Sequence, residues 1–169
     1  DQFIIACTIY QVTRRWPRFY FPVRSEFFYD HPVGVFLNTI VTCATMFPPV
    51  FRARSKRGVT RAGLDFLAAE LRSPDTLVGI HPEGTRGKGP DPYELLAAEP
   101  GFGKVVLQAR PIVVPVFIHG LSNDLFREIR SNITGRNPVI VVFGEPVDLS
   151  AFDDEDPRLL RNQVKVGRR

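Results

Sequence analysis

The hydrophobic and polar positions along the chain predict an alternation of helices and strands. Phe3, Ile4, Ile5, Cys7, Ile9 and Tyr10, followed by Arg14 and Arg15, predict a first helix over residues 1–16. It has an acid at its start and cations at its end, as the helix dipole favours. The aromatic run Arg18-Phe19-Tyr20-Phe21-Pro22-Val23 predicts a strand, and Ser25 caps a helical turn over 25–29 with Glu26 in its first turn. Residues 33–51 carry no charge, a length close to the roughly 20 residues of a membrane span. Asn38, Thr39, Thr42 and Thr45 interrupt that run and Pro48-Pro49 ends it. The pattern therefore favours a core helix over 35–45 and a strand over 50–52, with a helix lying in a membrane interface as the alternative.

Behind a Thr60 cap, Ala62, Leu64, Phe66, Leu67, Ala69 and Leu71 form one helical face that ends near Arg72. Ser73-Pro74-Asp75 stops it, and Thr76-Leu77-Val78-Gly79-Ile80 reads as a short buried strand. Residues 87–101, with Pro90, Pro92 and Pro100, read as a polar loop, by default an insertion and otherwise a cover over a site. A helix over 103–109 precedes the almost purely apolar run 111–118, the pattern of a strand buried on both faces. A short helix over 121–131, a second buried strand over 138–143 and a last helix, capped by the acids of 153–156 and running to Val164, complete the chain. This alternation predicts an α/β layered fold with a largely parallel central sheet flanked by helices.

The 169 residues suit one domain, and an apolar content of 44% beside 24% charged residues places it among globular domains. The net charge of +4 is uneven, because Arg52, Arg54, Lys56, Arg57 and Arg61 form a run with no acid among them. Such a run meets nucleic acid, an anionic membrane surface or a phosphorylated substrate, or is simply a solvated loop. Cys7 and Cys43 lie in apolar segments without metal-like spacing, which suggests buried free thiols in a reducing compartment. Asp1 opens straight into an apolar pattern and reads as the start of a piece of a longer chain.

The candidate chemistry centres on Gly79-Ile80-His81-Pro82-Glu83-Gly84-Thr85-Arg86. Pro82 and Gly84 break the strand and let backbone approach a ligand. Glu83, Thr85 and Arg86 then fall at a strand-to-loop edge, where open α/β sheets bind ligands. Arg86 offers a planar fork of donors suited to phosphate, Thr85 adds a hydroxyl, and Glu83 orients that Arg or accepts from a substrate hydroxyl. An ordinary Pro/Gly turn with a surface ion pair is the structural alternative. His81, two residues from Glu83 on the same strand face, reads as a pocket neighbour, not a base, since a base there would need its own orienting acid. His31 before Pro32 suits a turn, and His119 beside Gly120 caps a strand.

Pro82-Glu83-Gly84-Thr85-Arg86 after an apolar strand resembles the third conserved block of the glycerolipid acyltransferases, enzymes that acylate glycerol 3-phosphate, lysophosphatidic acid and related lysophospholipids. Met46-Phe47-Pro48-Pro49-Val50-Phe51-Arg52 is similar to the second block, and Ile112-Val113-Val114-Pro115-Val116 to the fourth. Residues 139–148 resemble the late strand and turn, and 18–34 the aromatic stretch before a Pro-Val-Gly helix start. Asp1-Gln2-Phe3-Ile4-Ile5 matches the Asp of the family's His-x-x-x-x-Asp block and its apolar continuation, so the His is expected upstream. His81 departs from the usual aromatic or aliphatic residue, and the second block lacks the usual Ile-Asp before its Arg.

The resemblance implies a glycerol-3-phosphate acyltransferase-like fold over 1–169, truncated inside the first block, and a part in phospholipid biosynthesis. It implies a His base oriented by Asp1, with the acceptor hydroxyl attacking a thioester directly. Arg52 and Arg86 would clamp the acceptor phosphate and Glu83 would position the glycerol, with Gly84 and Thr85 in the same substrate-binding set and Pro115 near the acyl-donor region. The implied co-substrate is acyl-CoA or acyl carrier protein, with no metal or other cofactor. The implied partners are a phosphorylated glycerol or lysophospholipid and a membrane surface, not nucleic acid. The implied location is the cytoplasmic face of a membrane, peripheral or anchored by segments outside this chain. A non-catalytic basic module binding anionic phospholipid surfaces through 52–61 is the alternative from a different class.

Overall fold

The computed structural model of the chain describes residues 2–24, 32–41, 49–50, 57–84, 96–120 and 138–167. The chain falls into two compact units, one of Asp1–Trp16 with Ile112–Asp148 and one of Pro17–Pro111 with Leu149–Arg169. Helices and short strands are mixed, and the parallel sheet is small. The helical turn expected over 25–29 and the helix expected over 121–131 lie outside the described residues.

In the first unit, helix α1 covers Gln2–Thr13. It stops earlier than expected because Arg14 turns left-handed at φ 55, its N–H still donating to the Tyr10 carbonyl at 2.8 Å. Arg14 and Arg15 therefore lie beyond the last helical residue and not in the last turn. Cys7 is exposed, contrary to the burial expected of it, because it lies one position beyond buried Ala6, on a different side of the helix. Two strands of this unit, Val116–His119 and Ile140–Phe143, pair antiparallel with Phe117 opposite Val142. The apolar run 111–118 thus becomes a strand only after Pro115, which has no N–H to give a ladder. Gly144 N–H donates to the Pro115 carbonyl and Val147 N–H to that of Val113, each at 2.9 Å, extending the pairing as irregular ribbon. Among the described residues both strands are edges of a two-stranded ribbon, and their side chains stay part-exposed, Val142 at 51%, where burial on both faces was expected.

The second unit holds the core. Strand β1, Arg18–Tyr20, and strand β2, Val23–Arg24, divide the expected single strand at Phe21-Pro22, where a proline removes a ladder donor. Helix α2, Pro32–Val41, begins with its proline, whose fixed φ suits a first helical turn. Strand β3, Pro49–Val50, pairs parallel with β2. Helix α3, Arg57–Glu70, starts ahead of Thr60, which therefore sits in the first turn and not at the cap. Strand β4, Thr76–Val78, runs parallel to β1 with Phe19 opposite Leu77. Arg18 N–H donates to the Asp75 carbonyl at 2.8 Å and Gly79 N–H to that of Tyr20 at 2.9 Å, prolonging this ladder at both ends.

Helix α4, Pro100–Ala109, is buried from Gly103 through Leu107 and ends at Arg110 in a left-handed cap. Leu67 and Ala68 of α3 and Val105 of α4 form the centre of the core, with Tyr20, Val78 and Ile80 packed against them. A 3-10 turn, Ser150–Phe152, follows, and the last helix, α5, covers Leu160–Gly167. The acids of 153–156 lie in the turn before α5 and do not start the helix, which begins only after Pro157. At Gly103 an added Cβ would fall 1.9 Å from the Gln163 carbonyl oxygen, so α4 and α5 touch backbone to backbone there.

Candidate functional site

The site grows from the end of β4. Gly79 continues the ladder and lies under the Phe21 ring, and an added Cβ would fall 1.9 Å from Phe21 Cε1. A glycine is thus the residue that lets strand and ring close up. Ile80 packs into the core, which anchors the chain immediately before the motif. His81 to Gly84 then form a turn: Gly84 N–H donates to the His81 carbonyl at 3.0 Å, with Pro82 in the position whose φ proline presets. Gly84 has φ 61, the left-handed region that favours glycine. Glu83 is half-buried and His81 exposed.

The expected strand-face relation between His81 and Glu83 does not hold. β4 ends at Val78, so both residues belong to the turn and side-chain alternation does not apply. The turn is held from outside by a bond that sequence reasoning missed. Glu99, the residue before Pro100 of α4, donates its backbone N–H to the Pro82 carbonyl at 2.7 Å. Its Cγ lies 3.2 Å from where a Cβ on Gly84 would be. The one trace in the sequence is Glu99-Pro100 itself, because a proline at the first helical position marks a helix start.

Of the sequence-derived site residues, the structure brings Glu83, Gly84 and His81 together on this turn. Asp1, Arg52, Thr85 and Arg86 lie outside the described residues, although Thr85 and Arg86 follow Gly84 directly in the chain. Pro115 belongs to the other unit, where its carbonyl accepts the Gly144 N–H.

Strand β1 supports the site strand by pairing along it. Tyr20 donates its hydroxyl to Glu70 Oε2 at 2.9 Å, and this bond, aided by burial and the Glu70 charge, holds the phenol above its ordinary pKa against the opposing pull of Arg18. Among the described residues, no helix is long and apolar enough to cross a membrane.

The Acyltransferase family matches the chain over residues 1–119. The chain belongs to this acyltransferase family. The match begins ahead of α1, includes the whole Pro82–Gly84 turn and ends at His119, the last residue of the strand Val116–His119. It leaves α5 outside, although α5 packs into the same unit as the site. Membership makes O-acyl transfer, in general terms, the chemistry of this acyltransferase. No curated protein and no solved structure matches the chain.

Proposed function

We propose that this acyltransferase moves a fatty acyl group from an acyl thioester to a hydroxyl of a glycerol phosphate or lysophospholipid, as a step of phospholipid biosynthesis. The scaffold proposed is the layered, glycerol-3-phosphate acyltransferase-like one. The observation that carries the reading is the Pro82-Glu83-Gly84 turn, closed on itself and tied to α4, from which Thr85 and Arg86 continue. A carboxylate, a hydroxyl and a guanidinium within four residues of sequence supply what a phosphorylated polyol needs: an acceptor for its hydroxyl and donors for its phosphate.

In the proposed reaction the acceptor hydroxyl attacks the thioester carbonyl carbon, forming a C–O bond as the C–S bond breaks. The hydroxyl proton passes to a His and then to the departing thiolate, so the products are an ester and a free thiol. That His stands upstream of Asp1 with four residues between, and Asp1 orients it and steadies its cationic form. Arg52 and Arg86 hold the acceptor phosphate, each charge-assisted contact contributing about 1.5–3 kcal/mol. Acyl-CoA or acyl carrier protein is the donor, and the proposed reaction uses no other cofactor.

A membrane-borne acceptor suits the end of α1. Val12 is 79% and Trp16 67% exposed there, beside Arg14 and Arg15. Aromatic and cationic side chains together favour the interface of an anionic bilayer.

Steady-state kinetics on the natural protein test this reading, with glycerol 3-phosphate or lysophosphatidic acid varied against acyl-CoA. Arg86→Lys keeps charge but loses the planar two-point grip, and raises the acceptor KM more than the donor KM. Arg86→Ala lowers acceptor kcat/KM by roughly one to two powers of ten. Unchanged acceptor kinetics in a folded Arg86→Ala protein overturn the phosphate role, and a natural sequence without the upstream His overturns the role of Asp1.

A further inference from the structure

We propose that Glu99 is a positioning residue for the motif turn, and that it acts through its backbone N–H. The proposal rests on reading residues 83–86 as substrate-binding. It adds the device that fixes their starting point. Glu99 stands at the mouth of α4 with φ −73 and ψ 141, and its side chain makes no capping bond to the helix. The following Pro100 enforces that extended conformation, because a proline ring crowds the helical conformation of the residue before it. The range of directions open to the Glu99 N–H is therefore narrowed before any contact forms. It is aimed at the Pro82 carbonyl, 2.7 Å away. Pro82 is itself stiff, so two proline-restrained backbones meet in one hydrogen bond.

This bond joins the two ends of the chain segment that leaves at Gly84 and returns at Leu96. One end belongs to the site turn and the other to α4, the helix buried from Gly103 through Leu107. The turn thereby takes its position from the core and not from its own two-residue span. The shape of the turn accounts for the glycine in Pro-Glu-Gly. At φ 61 any other side chain is strained, and a Cβ would also press on Glu99 Cγ at 3.2 Å.

Three measurements on the natural protein test the clasp. In the wild type, the Glu99 amide is expected to exchange hydrogen at least tenfold more slowly than in an unstructured peptide. An unprotected amide overturns the proposal without any variant. Glu99→Pro removes the donor at a φ of −73 that suits proline, and Glu99→Ala controls for the side chain lost with it. Trypsin cleavage after Arg86 and Lys88 is then expected to quicken about tenfold, and the KM for lysophosphatidic acid or glycerol 3-phosphate to rise roughly three- to tenfold. The acyl-CoA KM and kcat stay within about twofold. Glu99→Ala keeps the N–H and is expected to match the wild type. Equal losses in Glu99→Ala and Glu99→Pro, or no change in cleavage with Glu99→Pro, overturn the clasp. If Arg86→Ala leaves acceptor kinetics unchanged, the substrate reading fails separately, and amide exchange and cleavage still decide the clasp.

Discussion

Lys104 shows how a single residue reports on the whole packing of α3 against α4. Its side chain is 8% exposed, and its Nζ sits 2.6 Å from Asp65 Oδ1 while also donating to the Arg61 carbonyl at 3.3 Å. Asp65 is 46% exposed and accepts a second bond from Gln108 Nε2 at 2.9 Å. Burial works to raise the Asp65 pKa, but the bonds from Lys104 and Gln108 and the charges of Lys104 and Arg61 outweigh it, so the carboxyl titrates below its ordinary value. A carboxyl depressed in the folded state stabilises the fold above its unfolded pKa, near 3.9, and loses that contribution as pH falls through the lower folded value. The melting temperature should therefore drop on acidification below about pH 4, and Asp65→Asn should flatten that limb of the profile. At pH 7, Asp65→Asn should cost about 2 kcal/mol by urea denaturation, less than a fully buried pair because the acid is half in water. Lys104→Met, which leaves no buried charge behind, should cost less. The reverse order would mean that the ammonium's bond to the Arg61 carbonyl, and not its pairing with Asp65, matters at this site.

At the scale of elements, the contact between α4 and α5 turns on Gly103. Alanine has the better helix propensity by about 1 kcal/mol. An added methyl would nevertheless meet the Gln163 carbonyl, and its nearest neighbours are all backbone atoms that cannot rotate away. Gly103→Ala should thus destabilise by about 2 kcal/mol net, the crowding term winning over propensity, and amide exchange should quicken in α5 before α3. Gly103 looks in the sequence like a place where a helix starts, and it is instead where two helices meet. The helical faces were legible because apolar period survives local noise: Leu64 and Leu67 of α3, with Leu71 just past its end, mark the side that packs on the core. Ends were less legible, since prolines act in opposite ways. Pro100 and Pro32 open helices, whereas Pro22 and Pro115 interrupt or delay strands. At the site, Pro82 and Gly84 announced the turn. Its tie to Glu99 was hidden, because a backbone N–H meeting a distant carbonyl has no residue-type signature.

For the whole molecule, the decisive fact is that the unit bearing the motif turn is discontinuous, built from Pro17–Pro111 and completed by Leu149–Arg169. Arg110 fastens this return through its guanidinium, which donates to the carbonyls of Phe152 and Asp153, the latter at 2.6 Å. Asn162 and Val166 of α5 are 1% and 2% exposed. Deleting 149–169 leaves the family-matched span 1–119 untouched, yet should abolish cooperative melting of this unit. Circular dichroism on the shortened protein checks this, and an unaltered melting curve would show that α5 is dispensable. The same discontinuity has a consequence during synthesis. The apolar strip of α4 leaves the ribosome roughly 60 residues ahead of the end of α5 that covers it. At about 5–20 residues per second that strip waits some 3–12 s without its cover. In that interval a nascent chain is a natural client for chaperones that hold exposed hydrophobic segments, and slow codons between 110 and 160 would lengthen its exposure.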